Sequence, residues 1–297
     1  MANRMTALDV PKPMGSLLGA IPTPRPNAHT CFACRVSRIE FPGVCQDCAE
    51  KQFKEEFDAA LEPAIKSIPS LWQWANPADP EHSAMAAQCI DEWPRVVREL
   101  LDVQRAIVAG NGPRVVVFYG PEGQRGKTSS ACLLLRWLIE RGRFDKMAPD
   151  ERLAAMRHDL SAPVLAPPSH RGLARRIANA RGARYVRSQD LQCKTDFVLP
   201  EIEKARRIAI GSPVVVIDDV GRELNSANAN SFDLPGLIDG TNQVVHSRNE
   251  RPEALTIYTT WLSRAKMHSY YGGGTTERLY KNGVVICVGP NARREDT

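Results

Sequence analysis

The sequence predicts an α/β fold, a parallel sheet flanked by helices, on three observations. Four short β-rich runs stand apart: RVVVFYG at 114–120, PVVVID at 213–218, ALTIYTT at 254–260 and GVVICVG at 283–289. Helical stretches separate them, and strand alternating with helix is the pattern of a parallel sheet covered on both faces. RVVVFYG is a short β-rich run ending at glycine, as a strand buried in a parallel sheet should be.

Each element follows in order. The broad apolar face of Ile90, Trp93, Val97, Leu100, Leu101 and Val103 predicts a helix over 84–108. KTSSACLLLRWLIERG, 127–142, is strongly helical and closes on Gly142. ARYVRS is a further strand, 201–210 a helix, and LIDGTNQVVHSR another helix before ALTIYTT. Residues 143–182 carry a Pro-rich segment (Pro163, Pro167, Pro168) and then an arginine-rich helical stretch.

Ahead of this the organisation changes. Residues 1–28 hold Pro11, Pro13, Pro22, Pro24 and Pro26 and read as a flexible arm. Residues 29–52 contain a cysteine cluster, 53–66 a linker helix with Phe53, Phe57, Ala60 and Leu61 at helical spacing, and 67–297 the main domain. No apolar run approaches the roughly 20 residues needed to span a bilayer. Asp9 and the early prolines break any signal-peptide core, so a cytoplasmic protein with no membrane partner is expected, in a bacterium or, for a viral chain, in its host.

Cys31, Cys34, Cys45 and Cys48 form C-x2-C-x10-C-x2-C. Two such knuckles present four thiolates to one tetrahedral ion, and the expected ion is Zn²⁺ in a structural role, because four cysteines leave no open coordination position. His29 is either a spare ligand or a loop residue. The knuckle could hold DNA through Arg35 and Arg38 or dock a protein. Cys89, Cys132, Cys193 and Cys287 are expected to be reduced, with Cys132 and Cys287 buried in apolar runs.

FYGPEGQRGKTSS, 118–130, follows a strand and opens a helix, as a phosphate-binding loop does. Gly120, Gly123 and Gly126 allow the backbone to curl, while Pro121, Glu122, Gln124 and Arg125 complete the loop. Lys127 supplies the cation, Thr128 the hydroxyl for Mg²⁺, and Ser129 continues the helix N-terminus that would face the phosphates. Five residues rather than four separate Gly120 from Gly126. The surplus is assigned to Gln124 or Arg125, with slow hydrolysis expected. In VVVIDDVG, Asp218 is placed to hold Mg²⁺ through water and Asp219 to orient or deprotonate the attacking water. The alternative is that the two acids cap the following helix.

Taken in order, SIPSLWQW, GPEGQRGKT, VVVIDDVG, TIYTTWLS and TTERLYKNGVVICVG resemble the bacterial helicase-loader ATPases of the AAA+ class and the related transposition-helper ATPases, over roughly 67–290. The resemblance implies a P-loop AAA+ ATPase domain using ATP and Mg²⁺. It implies that Thr260 lies in the sensor region at the γ-phosphate, next to Trp261 where many relatives carry asparagine. It also implies that Arg278 is an arginine finger for a neighbouring subunit, and hence an ATP-dependent homo-oligomer. The implied partner is a hexameric replicative helicase, for which the zinc module would be an adaptor. A RecA-like recombination ATPase and a non-enzymatic zinc-bearing nucleotide-binding adaptor are the other readings.

From Arg171 to Arg187 there are six arginines and no carboxylate, within a net charge of only +5. Arg171, Arg175, Arg176 and Arg181 are the residues expected to contact single-stranded DNA phosphates. Tyr185 is the one aromatic residue nearby for base stacking.

Overall fold

Period-two alternation within each apolar run decides which helix layer each strand residue meets. The computed structural model describes residues 29–39, 43–73, 93–109, 111–121, 126–143, 145, 149, 152, 182–192, 200–225, 234–251, 254–280 and 283–288. These fall into two units, residues 1–52 and 53–297.

In the first unit, β1 (His29–Thr30) and β2 (Arg38–Ile39) form an antiparallel pair, and α1 (Gln46–Ser67) begins. The second unit holds the rest of α1, then α2 (Trp93–Val108), β3 (Val115–Tyr119), α3 (Lys127–Arg141) and β4 (Arg184–Arg187). It continues with α4 (Pro200–Gly211), β5 (Val214–Val220), the short α5 (Arg222–Asn225), α6 (Leu234–Asn249), β6 (Leu255–Thr260), α7 (Arg264–Tyr280) and β7 (Gly283–Cys287). A five-stranded sheet runs in the order β4-β5-β6-β3-β7, parallel at every pairing. The expected α/β architecture is observed.

One face of the sheet packs Val116, Phe118, Val214, Val216, Leu255 and Ile257 against α1, α2 and α3. The other packs Val117, Tyr119, Val215, Ile217 and Tyr258 against α4, α6 and α7. The stretch 53–66, read from sequence as a linker, seats Phe57, Leu61 and Ala64 in the first of these cores. Of the expected helix at 84–108, the part from Trp93 lies within the described residues.

Close packing makes one glycine necessary. A Cβ on Gly240 of α6 would lie 2.0 Å from the Leu191 carbonyl oxygen, so only a hydrogen fits there. Among the described residues, no helix is long and apolar enough to cross a membrane.

Candidate functional site

Sheet order brings the ends of β3, β5 and β6 together. β6 lies between the other two, so the loop after β3 and the acids ending β5 flank Thr259 and Thr260. Ile217 is paired with Tyr258 and Val220 with Thr260, which leaves Asp218 and Asp219 opposite the single residue Thr259. This two-against-one mismatch is a β-bulge, a device that re-aims side chains beside functional sites. Asp219 takes φ 58 within it, in the left-handed region that Asp tolerates better than most residues. The bulge is tied on both sides: Asp219 N donates to Thr259 Oγ1 at 2.8 Å and Ser188 Oγ to the Asp219 carbonyl at 2.7 Å.

Parity places Asp218 on the face of Val214 and Val216, towards α3. Burial to 4% exposure would penalise an unpaired carboxylate, and three hydroxyls satisfy it. Thr128 Oγ1 donates to Oδ1 at 2.9 Å and approaches Oδ2 at 3.2 Å. Thr259 Oγ1 donates to Oδ1 at 2.6 Å, and Tyr185 OH to Oδ2 at 2.5 Å. Burial, followed by the negative charge of Asp218, pushes the Tyr185 phenol far above its ordinary range, so it stays a donor. The same two causes raise the thiol of Cys132, which is fully buried on α3. Cys287, expected to be buried, is half-buried.

Helix α3 starts from Gly126, whose φ of 110 is natural for glycine. Ser129 Oγ returns a bond to the Gly126 carbonyl at 2.9 Å. Lys127 is 8% exposed, and its Nζ donates to the Pro121 carbonyl at 3.2 Å. The amides of the first helical turn have no intrahelical acceptor, which makes this end favourable to an anion. Gly120 and Pro121 follow β3, Gly126, Lys127, Thr128 and Ser129 open α3, and Glu122, Gly123, Gln124 and Arg125 lie outside the described residues.

Two sequence expectations shift. The Thr260 hydroxyl donates to the Val220 carbonyl at 2.8 Å and accepts from the Leu262 amide at 3.1 Å, so it is spent on backbone. The hydroxyl that meets the acid belongs to Thr259, because neighbouring strand residues point to opposite faces. Tyr185, considered for base stacking, instead turns its hydroxyl onto Asp218. Sequence reasoning missed both residues as members of this site. Parity alone would have marked them once the strand neighbours were known. Asp218 is occupied by side-chain hydroxyls rather than by capping α5.

Arg278 stands elsewhere. It lines a small cavity with Arg114, Val115 and Thr256, at the starts of β3 and β6, whereas Pro121 follows the end of β3 and the acids close β5. Its Nη1 donates to the Gly274 carbonyl at 2.9 Å. Arg171, Arg175, Arg176 and Arg181 lie outside the described residues. Of the same arginine run, Arg187 pairs with Asp190 at 3.1 Å and Arg184 donates to the Ala183 carbonyl.

In the first unit, the sulfurs of Cys31, Cys34, Cys45 and Cys48 all lie within 4.8 Å of one another, a grouping that can hold a metal ion. A tetrahedral ion with bonds of about 2.3 Å needs sulfurs about 3.8 Å apart, and Cys34 and Cys45 stand 3.9 Å apart. Local backbone preorganises the group. Cys45 N donates to Cys31 Sγ at 3.1 Å, and Ser37 N to Cys34 Sγ at 3.5 Å. Arg35, at φ 58, turns the chain between the knuckle and β2. His29 is held in β1 opposite Ile39 and is not one of this group.

No protein-family model matches the chain and no curated protein matches it, so its functional reading stands on the geometry of these two sites.

Proposed function

We propose that the chain is an AAA+-class P-loop ATPase that acts as a helicase loader. The observation that carries this reading is the bond from Thr128, on the helix after a Gly-Lys loop, to the strand-end carboxylate of Asp218. An all-oxygen pair beside a helix N-terminus suits a hard cation and a phosphate together.

In this reading Lys127 and the first amides of α3 bind the β- and γ-phosphates of ATP. The Thr128 hydroxyl and, through water, Asp218 would hold Mg²⁺, which would neutralise charge on those phosphates. Asp219, held at the bulge, orients the attacking water. Thr259 fixes Asp218, while Thr260 secures the strand end. Arg278, remote from its own chain's loop, fits a finger that serves a neighbouring subunit, since a guanidinium supplied in trans stabilises the transferring phosphoryl group. Hydrolysis then requires a homo-oligomer. The four cysteines hold Zn²⁺ in a closed structural site. The arginine-rich segment contacts single-stranded DNA, and the hexameric replicative helicase is the cargo.

DNA-stimulated ATP hydrolysis tests the enzymatic core. Lys127→Ala should abolish turnover, and Arg278→Ala should lower it by about 10³-fold or more while leaving nucleotide bound. Equal, background-level hydrolysis by wild type and Lys127→Ala under all DNA conditions would leave a zinc-bearing adaptor as the better reading. Co-migration with a hexameric helicase tests the partner. Preference for a transposase or a recombination filament would move the chain to the transposition-helper or RecA-like reading.

A further inference from the structure

We propose that Tyr185 is a positioning residue that sets which divalent cation the Asp218 site accepts, favouring Mg²⁺ over Ca²⁺. The inference rests on the phosphate-site reading above and concerns the protein's own hydroxyls.

An ionised carboxylate offers about four acceptor positions. Thr259 and Thr128 bond to Oδ1, Tyr185 bonds to Oδ2, and Thr128 makes its longer approach to Oδ2 as well. The Tyr185 contact of 2.5 Å lies in the range of a charge-assisted O–H···O⁻ bond, stronger than a neutral one. Asp218 is buried to 4% exposure, so it cannot swing away to present a fresh oxygen. Three hydroxyl hydrogens fill three of these positions and Thr128 crowds the fourth, so a cation that needs a direct carboxylate ligand has to compete with a hydroxyl. A cation that keeps its own waters does not.

Mg²⁺ dehydrates reluctantly and usually retains several waters, whereas Ca²⁺ takes six to eight oxygens and often carboxylates directly. Tyr185 therefore acts as a lock on Oδ2. Its reach across the sheet follows from register. Arg187 of β4 pairs with Asp218, and Tyr185 lies two residues earlier on the opposite parity to Val186, facing α3. The ring packs against the core on that face, so a phenylalanine keeps the packing and loses only the hydroxyl.

The test uses the full chain and a fluorescent ATP analogue. Its binding is followed while Mg²⁺ or Ca²⁺ is titrated, and the ratio of the two half-saturating concentrations is read. Tyr185→Phe should lower the Ca²⁺-to-Mg²⁺ ratio by about tenfold, the usual scale for a group supporting a metal ligand. Its thermal midpoint should fall only modestly, because one bond to the buried acid is lost while the ring packing and the two threonine bonds remain. Thr259→Val removes one of the two hydroxyls on Oδ1, leaving that of Thr128, and should shift the ratio in the same direction by a smaller factor. It serves as the second variant should Tyr185→Phe fail to fold, and Thr259→Ser should keep the wild-type ratio. An unchanged ratio in Tyr185→Phe and Thr259→Val, or equal weakening with both cations, overturns the proposal while leaving the phosphate site standing. A wild type that binds the analogue with neither cation overturns the phosphate-site reading, and this inference with it.

Discussion

The cysteine group and the acid–hydroxyl group are built in opposite ways. Cys31 to Cys48 lie within one short stretch of chain, and backbone N–H groups inside that stretch orient the sulfurs. Thr128, Tyr185, Asp218 and Thr259 come from four separate elements, and hydroxyls donated across strands orient the acid. A local site needs little more than spacing and a ligand. A distributed site needs a sheet in one strand order, and it inherits the sheet's stability.

The largest effect expected from this contrast is metal removal. Chelation should abolish the ordered structure of residues 29–52, because such a small unit has little core of its own and binding energy is its folding energy. Unfolding of the sheet unit should persist as a cooperative transition. Circular dichroism with metal analysis checks both, and loss of the sheet transition on chelation would show that the two sites are not independently supported.

Next comes Gly240→Ala, which strikes the distributed side. A Cβ 2.0 Å from the Leu191 carbonyl oxygen forces α6 and the segment after β4 apart. Overpacking of this kind costs about 1–3 kcal/mol, and urea denaturation should show it as a lower midpoint with an unchanged slope. Metal stoichiometry at the cysteines should not change, since their support is local.

No larger than this, and confined to alkaline pH, is the effect of Tyr258. Burial pushes its phenol up to about 12 from an ordinary 10.0, partly opposed by Arg248. The folded value is raised, so its stabilising contribution is complete below pH 10 and is lost as pH rises through about 12. Two pKa units correspond to about 3 kcal/mol as an upper bound. Tyr258→Phe should flatten the fall in stability between pH 10 and 12 relative to wild type, as read by denaturation at each pH. An identical slope in both proteins would place the alkaline weakness elsewhere.

The sequence was most legible where a residue's role depends on near neighbours. The two CxxC pairs announced by spacing alone a group of sulfurs that can hold a metal ion. GKT after an apolar strand, and IDD at the end of another, marked two halves of one site, and both halves meet at the Thr128–Asp218 bond. Tyr185 and Thr259 were not legible, because nothing local distinguishes a tyrosine facing the core from one beside an acid. Thr260 drew attention as the last residue of its strand, yet the pleat turned its hydroxyl to the Val220 backbone.

By itself, then, the sequence determined the elements, the alternation of strand and helix, the cysteine spacing and the two acids. All of these depend on periodicities and spacings of a few residues. Tertiary structure alone decided that β6 inserts between β3 and β5, that a bulge sets Asp218 and Asp219 opposite Thr259, and that Tyr185 bonds to the buried acid. Strand order and register arise from burying both sheet faces at once. That is a property of the whole core, and no single segment encodes it.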